Sequence, residues 1–169
     1  MATVELQFGA LPLHVRTARL IAAAIARRVG VEESLMDEVK LAVGEACSRA
    51  VDVHAEHDPT QLVTVLFSDA DDVFTISVLD AGPPLAQVAD DDEGMRPSVG
   101  EMLSRVDADG GELDPAVRLP AGLGLALIEG LVDDVMITPR ADGRGTRVQM
   151  SWPMVGALLL PEAAGGTGD

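Results

Sequence analysis

Hydrophobic residues change their spacing along this chain in an order that leaves few folds open. Residues 4–8 alternate apolar and polar side chains, which predicts a half-buried strand. Residues 13–28 and 33–54 instead carry apolar side chains at helical spacing, with Pro12 before the first stretch and Gly30 after it. A strand followed by two helices is not the alternating order of a parallel, doubly wound sheet.

The rest of the chain predicts two antiparallel hairpins. Residues 62–67 and 73–79 have the pattern of the first hairpin, residues 135–138 and 146–152 that of the second, and residues 122–132 that of an apolar helix. We therefore expect an α+β domain. Its architecture would be a two-layer α/β sandwich in which the helices cover one face of a mixed, mostly antiparallel sheet.

Two stretches lack such patterns. Residues 83–121 are rich in acidic residues, glycine and proline, which predicts a long, mobile connecting segment. We expect one domain over residues 1–153 and a C-terminal tail over residues 154–169 that is disordered at its end.

Charge and composition exclude several classes of function. The chain has 28 acidic and 12 basic residues, a net charge of -16, so a nucleic acid or an anionic membrane is not expected as a direct partner. It has three Phe, one Trp and no Tyr, which disfavours binding by base stacking. The single cysteine excludes a disulfide framework, and the absence of a signal-peptide pattern predicts a cytoplasmic location.

The second predicted helix has two distinct sides. On a helical wheel one side is apolar, apart from a terminal histidine, and the opposite stripe is charged. The first side holds Met36, Val39, Val43, Cys47, Ala50 and His54, and the charged stripe holds Glu38, Glu45, Arg49 and Asp52. Taken alone, this pattern indicates an ordinary amphipathic helix in which Cys47 and His54 are core residues. Glu45 and Arg49, four residues apart, would form a surface ion pair.

Three glycine-containing motifs are candidates for ligand binding. Asp80 and Gly82 follow a predicted strand, where a carboxylate can accept a hydrogen bond from an amine and a glycine allows close approach. Gly122 and Gly124 begin the apolar helix, where backbone N–H groups can bind phosphate. Gly145 and Thr146 start the last strand. Each site alone is a weak signal.

In this order the motifs resemble the ATP-binding module of the GHKL superfamily, which has the Bergerat fold. The similarity is carried by residues 39–51 (VKLAVGEACSRAV), 78–82 (VLDAG), 122–135 (GLGLALIEGLVDDV) and 143–148 (GRGTRV). The most similar branch is that of bacterial anti-sigma factors and serine-protein kinases, which pair with sigma factors and STAS-domain antagonists.

The resemblance implies a role for each matching residue. Glu45 would be the catalytic base, and the remaining residues would contact the nucleotide. Asp80 would bind the adenine amino group, Gly82 would make room for the base and Thr146 would support that end. Gly122 and Gly124 would close over the phosphates.

One position departs from the family pattern. The family carries an Asn, which holds Mg²⁺, four residues after the catalytic Glu, and this chain has Arg49 there. A guanidinium group has no acceptor atom and cannot ligate a metal, although it can contact phosphates directly. We therefore expect no metal site, weak or absent ATP binding, and a Glu45–Arg49 ion pair in the empty pocket.

Three functional hypotheses follow. The first is a regulator of the anti-sigma-factor type that binds a sigma factor, a STAS-domain antagonist or both. The second is an active serine/threonine-protein kinase that phosphorylates such an antagonist. The third is an adaptor domain that binds no nucleotide. The resemblance also implies a homodimer formed through the first strand and the first helix.

Overall fold

The computed structural model describes residues 2–83 and 128–155. Within these ranges two long helices and five strands follow the predicted order. The helices are α1 (Pro12–Val29) and α2 (Met36–His57), and the strands are β1 (Ala2–Gly9), β2 (Leu62–Ala70), β3 (Val73–Leu79), β4 (Asp134–Pro139) and β5 (Thr146–Pro153). No helix in the described ranges is long and apolar enough to span a membrane.

The five strands form one sheet in the order β1-β2-β3-β5-β4, and all four pairings are antiparallel. The turn between β2 and β3 is tighter than the sequence pattern indicates. Only Asp71 and Asp72 connect the strands, and both have positive φ angles, of 52° and 61°. Aspartate tolerates this left-handed conformation better than most residues, which explains a two-residue turn without glycine.

One face of the sheet and the two helices enclose the hydrophobic core. Alternate residues of the three central strands point into it, and the buried side of α2 is the side that the sequence predicts. The buried apolar residues of these strands are Val63, Val65, Phe67, Phe74, Ile76, Val78, Val148, Met150 and Trp152. In α1 the buried residues Ala18, Ala22, Ala23 and Ala26 are all small, which allows close packing of helices. The predicted two-layer α/β architecture is confirmed.

The ends of the helices follow from local chemistry. Pro12 occupies the first turn of α1, where its missing N–H costs no hydrogen bond, and Gly30 ends the helix with a φ of 96°. A short 3-10 helix, Glu33–Leu35, precedes α2. Glu38, on the charged stripe of α2, accepts a hydrogen bond of 2.7 Å from the buried Trp152 indole.

Some predicted features lie outside the described residues: most of segment 83–121, Gly122 and Gly124, and the end of the tail. Residues 128–131 are helical, in agreement with the last part of the helix predicted for 122–132, and Ile128 is buried. Beyond β5, Met154 still pairs with Val31 of the connection between the helices.

Candidate functional site

A buried carboxylate lies where β3 and β5 separate. Asp80 directly follows β3 and is 2% exposed. Its Oδ1 accepts hydrogen bonds from the backbone N–H groups of Gly82, at 3.0 Å, and Thr146, at 3.1 Å. Its own N–H donates to the carbonyl of Thr146 at 3.0 Å. The loop after β3 and the start of β5 are therefore fixed to each other around one side chain.

Two glycines allow the chain to come this close. A Cβ atom on Gly82 would lie 1.9 Å from a methyl carbon of Val53 on α2, and one on Gly145 would lie 2.0 Å from the carbonyl oxygen of Asp80. Gly145 also has a φ of 86°, a conformation that disfavours any residue with a side chain. The glycines are required here by packing around Asp80.

Arg49 reaches this carboxylate from α2. Its Nη1 donates to Asp80 Oδ2 in an ion pair, and its Nη2 donates to Thr146 Oγ1 at 3.4 Å. The guanidinium side chain is 13% exposed. The structure thus brings together four of the predicted site residues, Arg49, Asp80, Gly82 and Thr146.

The predicted ion pair between Glu45 and Arg49 is wrong, because Arg49 pairs with Asp80. A nearly fully buried carboxylate needs a compensating charge more than a half-buried one does. Glu45 lies one helical turn earlier on α2. Burial raises the pKa of its carboxyl, and Arg19 of α1 partly opposes this shift.

Two further residues of the site were not predicted from the sequence. His54 Nε2 accepts a 2.8 Å hydrogen bond from the backbone N–H of Ala81, which places the proton of a neutral ring on Nδ1. Arg140 Nη1 donates to the backbone carbonyl of Asp80 at 3.2 Å, and its Nη2 donates to Asp142 at 2.9 Å. Neither contact has a signal in local sequence spacing.

The prediction that Cys47 and His54 are core residues is confirmed. Cys47 is fully buried, and burial raises the pKa of its thiol to about 12, so it is not a nucleophile at neutral pH. His54 is 1% exposed, and burial lowers the pKa of its ring despite the nearby carboxylates of Asp80 and Asp58.

The side chain at the expected metal-binding position does not fit a magnesium ion. Arg49 stands at the position of the expected metal-binding amide and offers only donors. Within residues 2–83 and 128–155 no cluster of three or more His, Cys, Asp or Glu side chains could hold a metal. Asp80 has the right chemistry for an amino group, but its Oδ2 already accepts from Arg49.

The buried Asp80 carboxylate and the Gly145-Thr146 start of β5 lie beside a long helix on an antiparallel sheet, the arrangement that the resemblance to the GHKL superfamily predicts. The model of the histidine kinase-like ATPase domain matches residues 8–152, and the chain belongs to this family. The resemblance to the GHKL superfamily is confirmed.

Its relatives include serine-protein kinases. The chain is 31% identical to the serine-protein kinase RsbW of Bacillus licheniformis over 134 residues, covering 79% of this chain and 76% of that protein. It is also 31% identical to RsbW of Bacillus cereus (strain Q1) over 136 residues, with the same coverage.

A solved structure shares the fold. The crystal structure of the RsbU and RsbW domains of Rv1364c from Mycobacterium tuberculosis superimposes with a TM-score of 0.57 at 16% identity. The match covers 91% of this chain and 32% of the other, so this chain spans about a third of the length of the chain in that crystal structure.

Proposed function

We propose that this protein is a regulator of the anti-sigma-factor type, which binds a sigma factor, a STAS-domain antagonist or both. Membership of the histidine kinase-like ATPase family and the similarity to RsbW kinases support this proposal. The net charge of -16 supports a protein partner with a basic surface, because charge complementarity favours such a pair. The proposed location is the cytoplasm.

Arg49 is the residue that favours a binding regulator over an active kinase. Phosphoryl transfer depends on metal ions that bridge the phosphate oxygens. In this chain a permanent cation occupies the helix position of the metal ligand and pairs with Asp80. We therefore propose Mg²⁺-independent, weak or absent nucleotide binding in this pocket and negligible kinase activity.

The nucleotide would bind with its base at the Asp80 end of the pocket. There Asp80 would accept from the adenine amino group, Gly82 would leave room for the ring, and Thr146 would support it. Gly122 and Gly124 would bind the phosphates. These five roles come from the resemblance and remain proposals.

An active serine kinase is the second candidate, and Glu45 favours it. A catalytic base works best when its pKa lies closer to the operating pH than that of an exposed carboxylate. Burial shifts the pKa of Glu45 in that direction. In this reading Glu45 would be the base that activates the attacking hydroxyl, the role that the resemblance implies.

Binding and phosphorylation assays separate the two candidates. The purified chain is titrated calorimetrically with each purified sigma factor and STAS-domain protein of the same organism, without nucleotide and with Mg²⁺-ATP. We expect one of them to bind without nucleotide and no transfer of labelled phosphate. Labelling of a serine on a STAS-domain protein would favour the kinase, and binding to none of these proteins would contradict the regulator.

A homodimer through β1 and α1 is also proposed. Exposed apolar side chains on these elements support it: Val4 is 48%, Leu13 67% and Leu20 61% exposed. Isolated apolar side chains are common on protein surfaces, but several on adjoining elements indicate an interface. Light scattering of the purified chain, compared with a Leu13→Glu, Leu20→Glu variant, tests this prediction: the variant should be a monomer.

A further inference from the structure

The guanidinium of Arg49 lies against the groups that would recognise a base. Its two terminal nitrogens contact Asp80 Oδ2 and Thr146 Oγ1, two side-chain acceptors at this end of the site. Asp80 is 2% exposed, and Arg49 enters from α2 with a side chain that is 13% exposed. The planar guanidinium of Arg49 therefore occupies the position at which these groups would contact a base.

The geometry of Asp80 leaves one oxygen for a ligand. Oδ1 accepts from two backbone N–H groups, those of Gly82 and Thr146, and a carboxylate oxygen has about two acceptor positions. Oδ2 is thus the oxygen that can receive a further donor, and Arg49 binds it. Asp80 is only 2% exposed with Arg49 in place, so a base must displace the guanidinium to reach Oδ2. An exocyclic amino group on a planar heteroaromatic ring would need the same oxygen.

We propose that Arg49 is an internal ligand of this pocket, which competes with the amino group of a purine for Asp80 Oδ2. This inference deepens the proposed function and rests on its placement of the base at Asp80. Arg49 is always present beside Asp80 because both belong to the same chain, whereas a nucleotide must displace it to bind.

A released Arg49 has another acid within reach. Glu45 lies four residues earlier on α2, a spacing at which opposite charges on a helix interact. We therefore expect two arrangements, one in which Arg49 pairs with Asp80 and excludes the base, and one in which Arg49 turns to Glu45 and admits it. The structure shows the first arrangement.

Removing the internal ligand should open the pocket. Binding of ATP and of adenosine, in the presence of a metal chelator, is measured by calorimetry for the wild type, Arg49→Ala and the control Arg28→Ala. Arg28 is an exposed arginine near the end of α1. We expect Arg49→Ala to tighten binding of both ligands by about tenfold or more, a usual size for coupling between competing ligands, and Arg28→Ala to leave it unchanged.

Free guanidinium separates competition from a structural effect. In Arg49→Ala, low millimolar guanidinium chloride should weaken ATP binding relative to equal sodium chloride, because the ion can occupy the vacated place beside Asp80. Neither salt should do so selectively in the wild type. If Arg49→Ala folds and gains no affinity, or if guanidinium acts no differently from sodium, the proposal is wrong.

A second variant guards against misfolding. Arg49→Ala leaves a buried carboxylate without its counter-ion, which destabilises folded proteins. Arg49→Gln keeps an amide that can donate to Asp80 and should show the same direction of change in ATP binding. Binding of a sigma factor or STAS-domain protein is measured on the same samples. Partner binding without any gain in ATP affinity would overturn only the role of Arg49, and the reverse result would overturn the proposed regulator.

Discussion

At the scale of single residues, two separate constraints require a glycine at position 145 of the site. Its φ of 86° is left-handed, and its α-carbon faces the backbone of Asp80 so closely that a Cβ would lie 2.0 Å from the carbonyl oxygen. Gly143, two residues earlier, is also left-handed with a φ of 73°, but a Cβ there meets no atom within 4 Å. The two glycines share a left-handed conformation but differ in steric contact.

We predict different costs for the same substitution at these two positions. Gly143→Ala should lower the free energy of unfolding by about 1–2 kcal/mol, the cost of a left-handed residue with a side chain. Gly145→Ala should lower it by about 3 kcal/mol or more, because steric overlap with Asp80 adds to that cost. Urea denaturation of both variants measures the difference, and equal losses would show that the close contact at Gly145 is relaxed without cost.

At the scale of secondary-structure elements, α2 carries most of the side chains that hold the end of β3. Arg49 pairs with Asp80, and one turn later His54 accepts from the N–H of Ala81. The second contact requires a neutral ring, because a protonated histidine has no acceptor nitrogen. The link between α2 and the β3 loop therefore depends on the protonation state of His54.

This dependence predicts how stability changes with pH. Burial lowers the pKa of His54 from its usual 6.5, Arg140 acts in the same direction, and Asp80 and Asp58 partly oppose them. Below pH 6.5 the unfolded chain binds a proton on this ring that the folded chain does not, so the free energy of unfolding should fall. The loss continues until the pH reaches the folded pKa. His54→Gln should reduce this slope, measured by urea denaturation at several pH values between 7 and 5.

Glu45 should change stability with pH in the opposite direction to His54, so its substitution is a control for the His54 variant. Burial raises the pKa of its carboxyl above 4.5, so the folded chain takes up this proton before the unfolded chain does, and stability rises as the pH falls towards 4.5. Glu45→Gln removes that gain and should make the fall below pH 6.5 steeper. A His54→Gln variant with the full wild-type slope would contradict the role of His54.

At the scale of the whole molecule, the excess of 16 negative charges governs how the protein meets a partner. Fields of this kind increase the rate at which proteins of opposite charge associate, and salt screens them. Helix α1 contributes positive charge instead, because it contains no acidic residue and four arginines: Arg16, Arg19, Arg27 and Arg28. A partner with a basic surface would be attracted by the rest of the molecule.

We predict that binding of a sigma factor depends on salt mainly through its association rate. Between about 0.05 M and about 0.5 M sodium chloride the association rate constant should fall by about tenfold or more, because the Debye length shortens from about 14 Å to about 4 Å. The dissociation rate constant should change much less. Surface plasmon resonance at several salt concentrations measures both. An association rate that salt does not change would show that net charge plays no part in the encounter.

The sequence by itself determined the order of the elements and the buried faces. The apolar side of α2 and the alternation of β1 are recorded in local spacing, because helices repeat every 3.6 residues and strands every two. The same locality made Asp80, Gly82 and Thr146 recognisable as motifs. That Arg49 stands where a metal-binding Asn is expected came from the family resemblance, and the chemistry of the guanidinium group then predicted that it cannot ligate a metal.

Only the tertiary structure decided what Arg49 binds. Spacing on the helix favoured Glu45, four residues away, whereas the actual partners are 31 and 97 residues distant in the chain. The contacts of His54 with Ala81 and of Arg140 with Asp80 are of the same kind. Such pairs form because folding buries Asp80, and a buried carboxylate gains more from a charged donor than an exposed one does. Burial depends on how the sheet and helices assemble, which no local sequence pattern records.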